Sequence, residues 1–149
     1  DTFTSSSTSY AVVTGLSVDI TPSATSSKVL ILVHVNGMRG GSNYYWGGIS
    51  LFKGGSNFIG SAGNRNPSFN NGYAGLDGDQ SNESFNMDNY NLSVVDSPNT
   101  TSQLTYDVRV ILQNGSDTFY INSARNDENS SGRARGISSI TCLEIDGSW

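Results

Sequence analysis

His34 is the only histidine in the chain, and it is the first place to look for acid–base or nucleophilic chemistry. A serine-type triad needs the imidazole in a cleft, with a hydroxyl on one side and a carboxylate on the other. His34 instead lies in Lys28-Val29-Leu30-Ile31-Leu32-Val33-His34-Val35, an apolar run in which it reads as a core or interface residue. Paired carboxylates offer a second route, since glycoside hydrolysis uses two Asp or Glu roughly 5–10 Å apart, one with a raised pKa. The candidates Asp77, Asp79, Glu83 and Asp88 all fall in the loop-rich middle, and spacing selects no pair among them. Leu76 to Glu83 places oxygen ligands at alternate positions, as a Ca2+ loop would. Its glutamate comes too early for an EF-hand and its glycine is misplaced, so a solvated turn is the reading. Cys142, the single cysteine, excludes an internal disulfide and a Cys-rich metal site. It reads as a small hydrophobe on an inner strand. The expectation is a protein without enzymatic activity, metal or cofactor.

Binding chemistry is better represented. Tyr44, Tyr45 and Trp46, with Tyr73, Asn64, Arg65 and Asn70, have the composition of a sugar-binding surface. Aromatic faces pack on the apolar side of a pyranose while Asn and Arg make directional hydrogen bonds. The competing reading is that Trp46 and one tyrosine anchor their loop to the scaffold. Five Asn-X-Ser/Thr triplets, at Asn82, Asn91, Asn99, Asn114 and Asn129, match the glycosylation pattern, but an Asn/Ser-rich chain produces them by chance. The formal charge of −5 and the lack of a basic stripe argue against nucleic acid. The one basic cluster, Arg125, Arg133 and Arg135, is interrupted by Asp127 and Glu128 and reads as a solvated loop. No signal peptide is evident, and no apolar run approaches the roughly 20 residues of a membrane helix.

The element that must position these residues is the run at 28–35. A half-buried strand alternates apolar and polar residues because successive side chains point to opposite faces. Here Val29, Ile31, Val33 and Val35 fill one face, and Leu30 and Leu32 make the other nearly as apolar. One face can meet a second sheet; the other calls for a partner subunit. Only 14% of the 149 residues are charged, 17 are glycine and 10% are aromatic, a mixture that fits folded β structure better than disorder. Tyr10–Thr14 and Leu16–Ile20 read as strands about a turn or bulge at Gly15, and Asn36-Gly37 as the turn that ends the central strand. Gly48–Lys53 and Asn57–Ala62 read as a hairpin about Gly54-Gly55. Gly63–Asn82 reads as loop, Leu92–Asp96 as a strand, and Leu104, Tyr106, Val108, Val110 and Leu112 as the clearest alternating stripe. Thr118–Ile121 follows an Asn114-Gly115 turn. After a polar loop, Ile137–Ile145 closes the chain with Ile140 and Cys142 facing one way, Leu143 and Ile145 the other. About ten short strands and no amphipathic helix predict an all-β antiparallel sandwich, a jelly roll or a relative of one. Residues 1–9 read as a linker from an upstream segment and 10–149 as a single domain.

Three stretches, GLSVDITPSATSSKVLILVHVNG (Gly15 to Gly37), VVDSPNTTSQLTYDVRV (Val94 to Val110) and SGRARGISSITCLEI (Ser131 to Ile145), resemble the C-terminal head domains of phage tail fibres and related virion fibre proteins. The most specific pieces are Ser26-Ser27-Lys28, Asp96-Ser97-Pro98 and Glu144-Ile145. That resemblance implies a homotrimeric jelly roll of the C1q/TNF type, extracellular on a virion, attached to a host surface glycan or other surface receptor. It also implies that the sheet holding Val29–Val35 and Ile140–Ile145 faces the three-fold axis. Recognition would then fall to the mid-chain loops, since such residues concentrate on loops held by a rigid frame. Two other functions fit the same residues. One is a capsid-decorating or structural trimerisation knob; the other is a free C1q/TNF-like lectin or a polysaccharide depolymerase.

Overall fold

A computed structural model describes residues 1–40, 46–55, 57–60, 70–73, 87–131 and 135–147, with only the backbone at 38–40, 46, 57, 58 and 70–73. Ten strands are present among them: β1 (Phe3–Ser5), β2 (Ala11–Ile20), β3 (Lys28–Gly40), β4 (Trp46–Lys53), β5 (Asn57–Phe58), β6 (Asn70–Tyr73), β7 (Asp88–Asp96), β8 (Leu104–Leu112), β9 (Thr118–Ile121) and β10 (Ser139–Ile145). No helix occurs among the described residues. The strands form two five-stranded antiparallel sheets.

The first sheet is organised on β3. One side of β3 pairs with β7, Val29 opposite Asp96 through Gly37 opposite Asp88. Its other side pairs with β10 from Lys28 to His34 and with β9 from Gly37 to Gly40, and β1 adds beyond β9. The second sheet centres on β8, between β2 and β4, with β5 and β6 on the far side of β4.

The period-two patterns decide which faces meet. Val29, Ile31, Val33 and Val35 of β3 pack on Tyr106, Val108, Val110 and Leu112 of β8 and on Ile49 and Leu51 of β4, all of them buried. β-Branched residues are stiff at χ1 and fit a pleated surface, so these strands form where the valines and isoleucines fall. Within the second sheet the turn and the bulge have the expected chemistry. Gly54 and Gly55 have φ of +62° and +82°, a backbone that side chains with a Cβ rarely adopt. At Gly15 the φ is +85° and the β2–β8 register shifts between Val12 and Ser17, the bulge expected there.

Three expectations about the elements are corrected. Asn36-Gly37 does not turn the chain, because β3 runs on to Gly40. The glycine serves close approach instead: a Cβ at Gly37 would lie 2.6 Å from the Tyr120 carbonyl oxygen and 2.9 Å from Ile121 Cδ1. Inside the stretch read as loop, residues 70–73 form β6 against β4, where ladder hydrogen bonds need no apolar side chain. The last strand starts at Ser139, and Ile137 is left outside it and exposed. Within the Ser/Thr-rich first nine residues, Phe3–Ser5 pair with β9, and Phe3 packs against the core.

Candidate functional site

Directly opposed residues of neighbouring strands share a face, so the register defines the outer surface of the first sheet. Leu30 lies between Val95 of β7 and Leu143 of β10. In the next row Leu32 lies between Ser93 and Thr141, and then His34 between Asn91 and Ser139. Val95 is 52%, Leu143 49% and Leu32 40% exposed. These three are large apolar groups gathered in adjacent rows, with no element of the described chain over them. Beyond the apolar rows the same face turns polar. Asn91 Oδ1 lies 2.8 Å from His34 Nδ1, and Asn36 Nδ2 donates to Asn89 Oδ1 at 2.8 Å. His34 is therefore a surface residue of the sheet, placed in an amide ladder.

The inner face carries its own polar group where the sheets meet at one edge. Asp96 Oδ2 accepts from Lys53 Nζ at 2.7 Å and from the Tyr106 hydroxyl at 2.8 Å. Lys53 and Tyr106 are register partners in the second sheet, and Asp96 belongs to the first, so this bond set ties the two sheets together. Burial, then the Asp96 hydrogen bond and charge, drive the Tyr106 hydroxyl well above the ordinary tyrosine range. Burial first, and then Asp88, push Tyr90 up to about 12, and burial raises Cys142 from 9 to about 11. Cys142 faces inward opposite Ile31 and packs against the core. All three groups hold protons more tightly folded than unfolded, so their contribution is complete below the unfolded pKa and is lost as pH rises towards the folded one. Stability is expected to fall from about pH 9 upward, with each group adding a slope of about 1.4 kcal/mol per pH unit within its window. Urea titrations at stepped alkaline pH should show Tyr106→Phe less stable at neutral pH, by about 1–3 kcal/mol for the lost hydrogen bond to a charge. The same variant should lose stability less steeply above pH 10.

A second tie joins the turn between β2 and β3 to the last strand. Glu144 of β10 accepts from the Ser23 amide at 2.7 Å and the Ser23 hydroxyl at 2.6 Å, and these bonds, with Ser27, hold its carboxyl below the usual range. A Cβ on Gly147 would run into the Ser26 carbonyl oxygen. The turn before β3 is thus clasped by the exit from β10.

The expected sugar-binding residues are only partly within the described region. Trp46 and Tyr73 are directly opposed in the β4–β6 pair, and Asn70 is opposed to Ile49. The backbone therefore brings two of the aromatic positions to one end of the second sheet. Tyr44, Tyr45, Asn64 and Arg65 lie outside the described residues, as do Asp77, Asp79, Glu83 and Arg133. Asp88 opens β7, and its Oδ2 accepts from the Tyr90 hydroxyl at 3.3 Å. No group of three His, Cys, Asp or Glu able to hold a metal occurs among the described residues. The outer-face role of Val95 was not evident in the sequence, because Val94-Val95 is apolar at both parities and only the pairing with β3 sends Val94 inward. No family model matches the sequence, and no curated protein matches it.

Proposed function

We propose that the chain is the head domain of a virion fibre: a homotrimeric jelly roll of the C1q/TNF type that attaches to host-surface carbohydrate. The observation that carries this reading is the apolar cluster of Leu30, Leu32, Val95 and Leu143 on the outer face of the β7–β3–β10 sheet. Soluble monomers seldom expose large contiguous apolar patches. Two further copies of the same chain, related by a three-fold axis along this face, would bury the cluster three times over. Each aliphatic side chain fully removed from water contributes roughly 1.5–3 kcal/mol. The resemblance of the Gly15–Gly37, Val94–Val110 and Ser131–Ile145 stretches to fibre heads supports the same assembly.

Attachment is assigned to the end of the second sheet where Trp46 and Tyr73 are register partners, supported by the aromatic, Asn and Arg content of the flanking segments. Three equivalent sites on one head turn weak single contacts into useful avidity. A glycan array probed with the purified chain tests the reading, with light scattering run alongside. The expected result is a trimeric mass and binding to a restricted set of glycans. Trp46→Ala should lower array binding at least tenfold at unchanged mass. Array binding equal to that of the parent chain would remove Trp46 from the site, and a chain that binds no glycan would remove carbohydrate attachment from the function.

A further inference from the structure

The sequence holds three Asn-Gly pairs, Asn36-Gly37, Asn71-Gly72 and Asn114-Gly115. The dipeptide carries latent chemistry. The glycine amide nitrogen has no side chain beside it and can attack the side-chain carbonyl carbon of the preceding asparagine. The fold decides which pair is free to react. Asn36-Gly37 is built into β3, and Asn71-Gly72 into β6 opposite Gly48 and Gly47. Asn114-Gly115 lies between the end of β8 at Leu112 and the start of β9 at Thr118, where no strand ladder fixes the backbone.

Asn114 and Asn36 are placed oppositely in every respect that bears on this reaction. Asn114 Oδ1 accepts from the Ser116 amide at 2.8 Å, an Asx turn. A donor therefore already sits where the attack places negative charge. Among the described residues, nothing accepts from Asn114 Nδ2 or from the Gly115 amide, so neither the leaving group nor the attacking nitrogen is held back. Asn114 is half-buried and Gly115 exposed, within reach of water. At Asn36 the side-chain nitrogen is held, because Nδ2 donates to Asn89 Oδ1 at 2.8 Å. Its Oδ1 is buried with no donor among the described residues. Gly37 is paired with Asp88 on one side and Ile121 on the other, so ring closure there requires opening the centre of the first sheet.

We propose that Asn114 is a self-modification site, converted in the folded protein to aspartate and isoaspartate without an enzyme, and that the sheet protects Asn36. The Gly115 nitrogen loses its proton to hydroxide and bonds to Asn114 Cγ. The Cγ–Nδ2 bond breaks, ammonia leaves, and a five-membered succinimide remains. Water then opens the ring at one of its two carbonyls, breaking the C–N bond there. Opening at Cγ gives an ordinary aspartate. Opening at the main-chain carbonyl gives isoaspartate, whose peptide link runs through Cγ.

The second product changes the turn most. It adds a methylene to the backbone, and the carbonyl that accepts from the Asp117 amide at 3.3 Å becomes a free carboxylate. This turn rests on the N-terminal segment: the Leu112 amide donates to the Ser7 carbonyl at 3.0 Å, and Gly115 faces the Ser6 carbonyl. A longer turn loosens that docking. The chemistry needs neither a trimer nor a glycan, so it stands apart from the attachment reading.

Incubation of the full chain in mildly alkaline buffer, followed by tryptic digestion and mass spectrometry, tests the proposal. The Val29–Arg39 peptide reports Asn36, and the Val110–Arg125 peptide reports Asn114, with fragmentation separating it from Asn122. Asn114 is expected to acquire the mass of an NH2-to-OH exchange at least tenfold faster than Asn36, as two chromatographically distinct products. In chain unfolded by guanidinium the two sites should convert at comparable rates, which assigns the difference to the fold. Gly115→Ala, whose Cβ meets the Ser6 carbonyl oxygen at an ordinary 3.4 Å, should slow conversion at Asn114 at least tenfold with unchanged thermal stability. Equal rates at the two sites in the folded chain, conversion of Asn36 ahead of Asn114, the same tenfold gap in the unfolded chain, or an unchanged rate in Gly115→Ala would each overturn the proposal.

Discussion

Leu32→Asp is expected to yield folded single protomers where the parent chain gives trimers. Leu32 is 40% exposed and lies between Ser93 and Thr141, one row from Leu30, Val95 and Leu143. In a lone protomer a carboxylate at this position remains in water, so its cost to the fold is small, within the roughly 0.5 kcal/mol typical of surface changes. In the proposed trimer the same carboxylate enters an apolar contact, where breaking or leaving a buried charge without a partner costs about 3–5 kcal/mol. The penalty recurs in each subunit, so the assembly constant falls by several orders of magnitude. Light scattering at micromolar concentration should report the monomer mass, and the far-ultraviolet dichroism should match the parent. A variant that remains trimeric would move the subunit contact away from this face. A parent chain that is monomeric at the same concentration would end the trimer proposal.

Ile31→Asp, one residue earlier, should abolish the fold itself. Ile31 is fully buried in the core between the sheets, opposite Val94 on one side and Cys142 on the other. Losing the aliphatic side chain alone costs about 2–5 kcal/mol. The carboxylate must then be protonated or left unsolvated, which adds several kcal/mol more. Together these approach the entire 5–15 kcal/mol that stabilises a typical domain. The expected result is an insoluble or unfolded product, with no cooperative urea transition at neutral pH. A cooperative transition near that of the parent would contradict the inward placement of Ile31. Adjacent residues with such different outcomes form a pair of controls: the backbone position is nearly the same, and only the face differs.

Much of the scaffold is legible in the order of residues because burial alternates with the pleat. Leu104 to Leu112 names its inner face by inspection, and Val29, Ile31, Val33 and Val35 do the same. Local turn chemistry succeeds where the backbone itself is strained, as at Gly15, Gly54 and Gly55. It fails at Asn36-Gly37, where a favourable turn dipeptide is held extended by β7 on one side and β9 on the other. β6 fails for a different reason: Asn70 to Tyr73 carry no alternating pattern, and a free edge of β4 supplies the order. The candidate sugar positions were legible as a composition. Their relation was not, since the opposition of Trp46 and Tyr73 exists only through that strand pair.

By itself the sequence determined an all-β chain, a core stripe of known residues, and a central strand apolar on both sides. Those properties are local, set by which neighbours two residues apart share a face. Only the tertiary structure decided that Val95 and Leu143 flank Leu30, that Lys53 and Tyr106 meet on Asp96, and that the polar loop at 122–138 interrupts a single strand line. Each of these joins residues far apart in the chain through the register of paired strands. Register follows from which faces are buried together, and that is a property of the packed sheets as a whole.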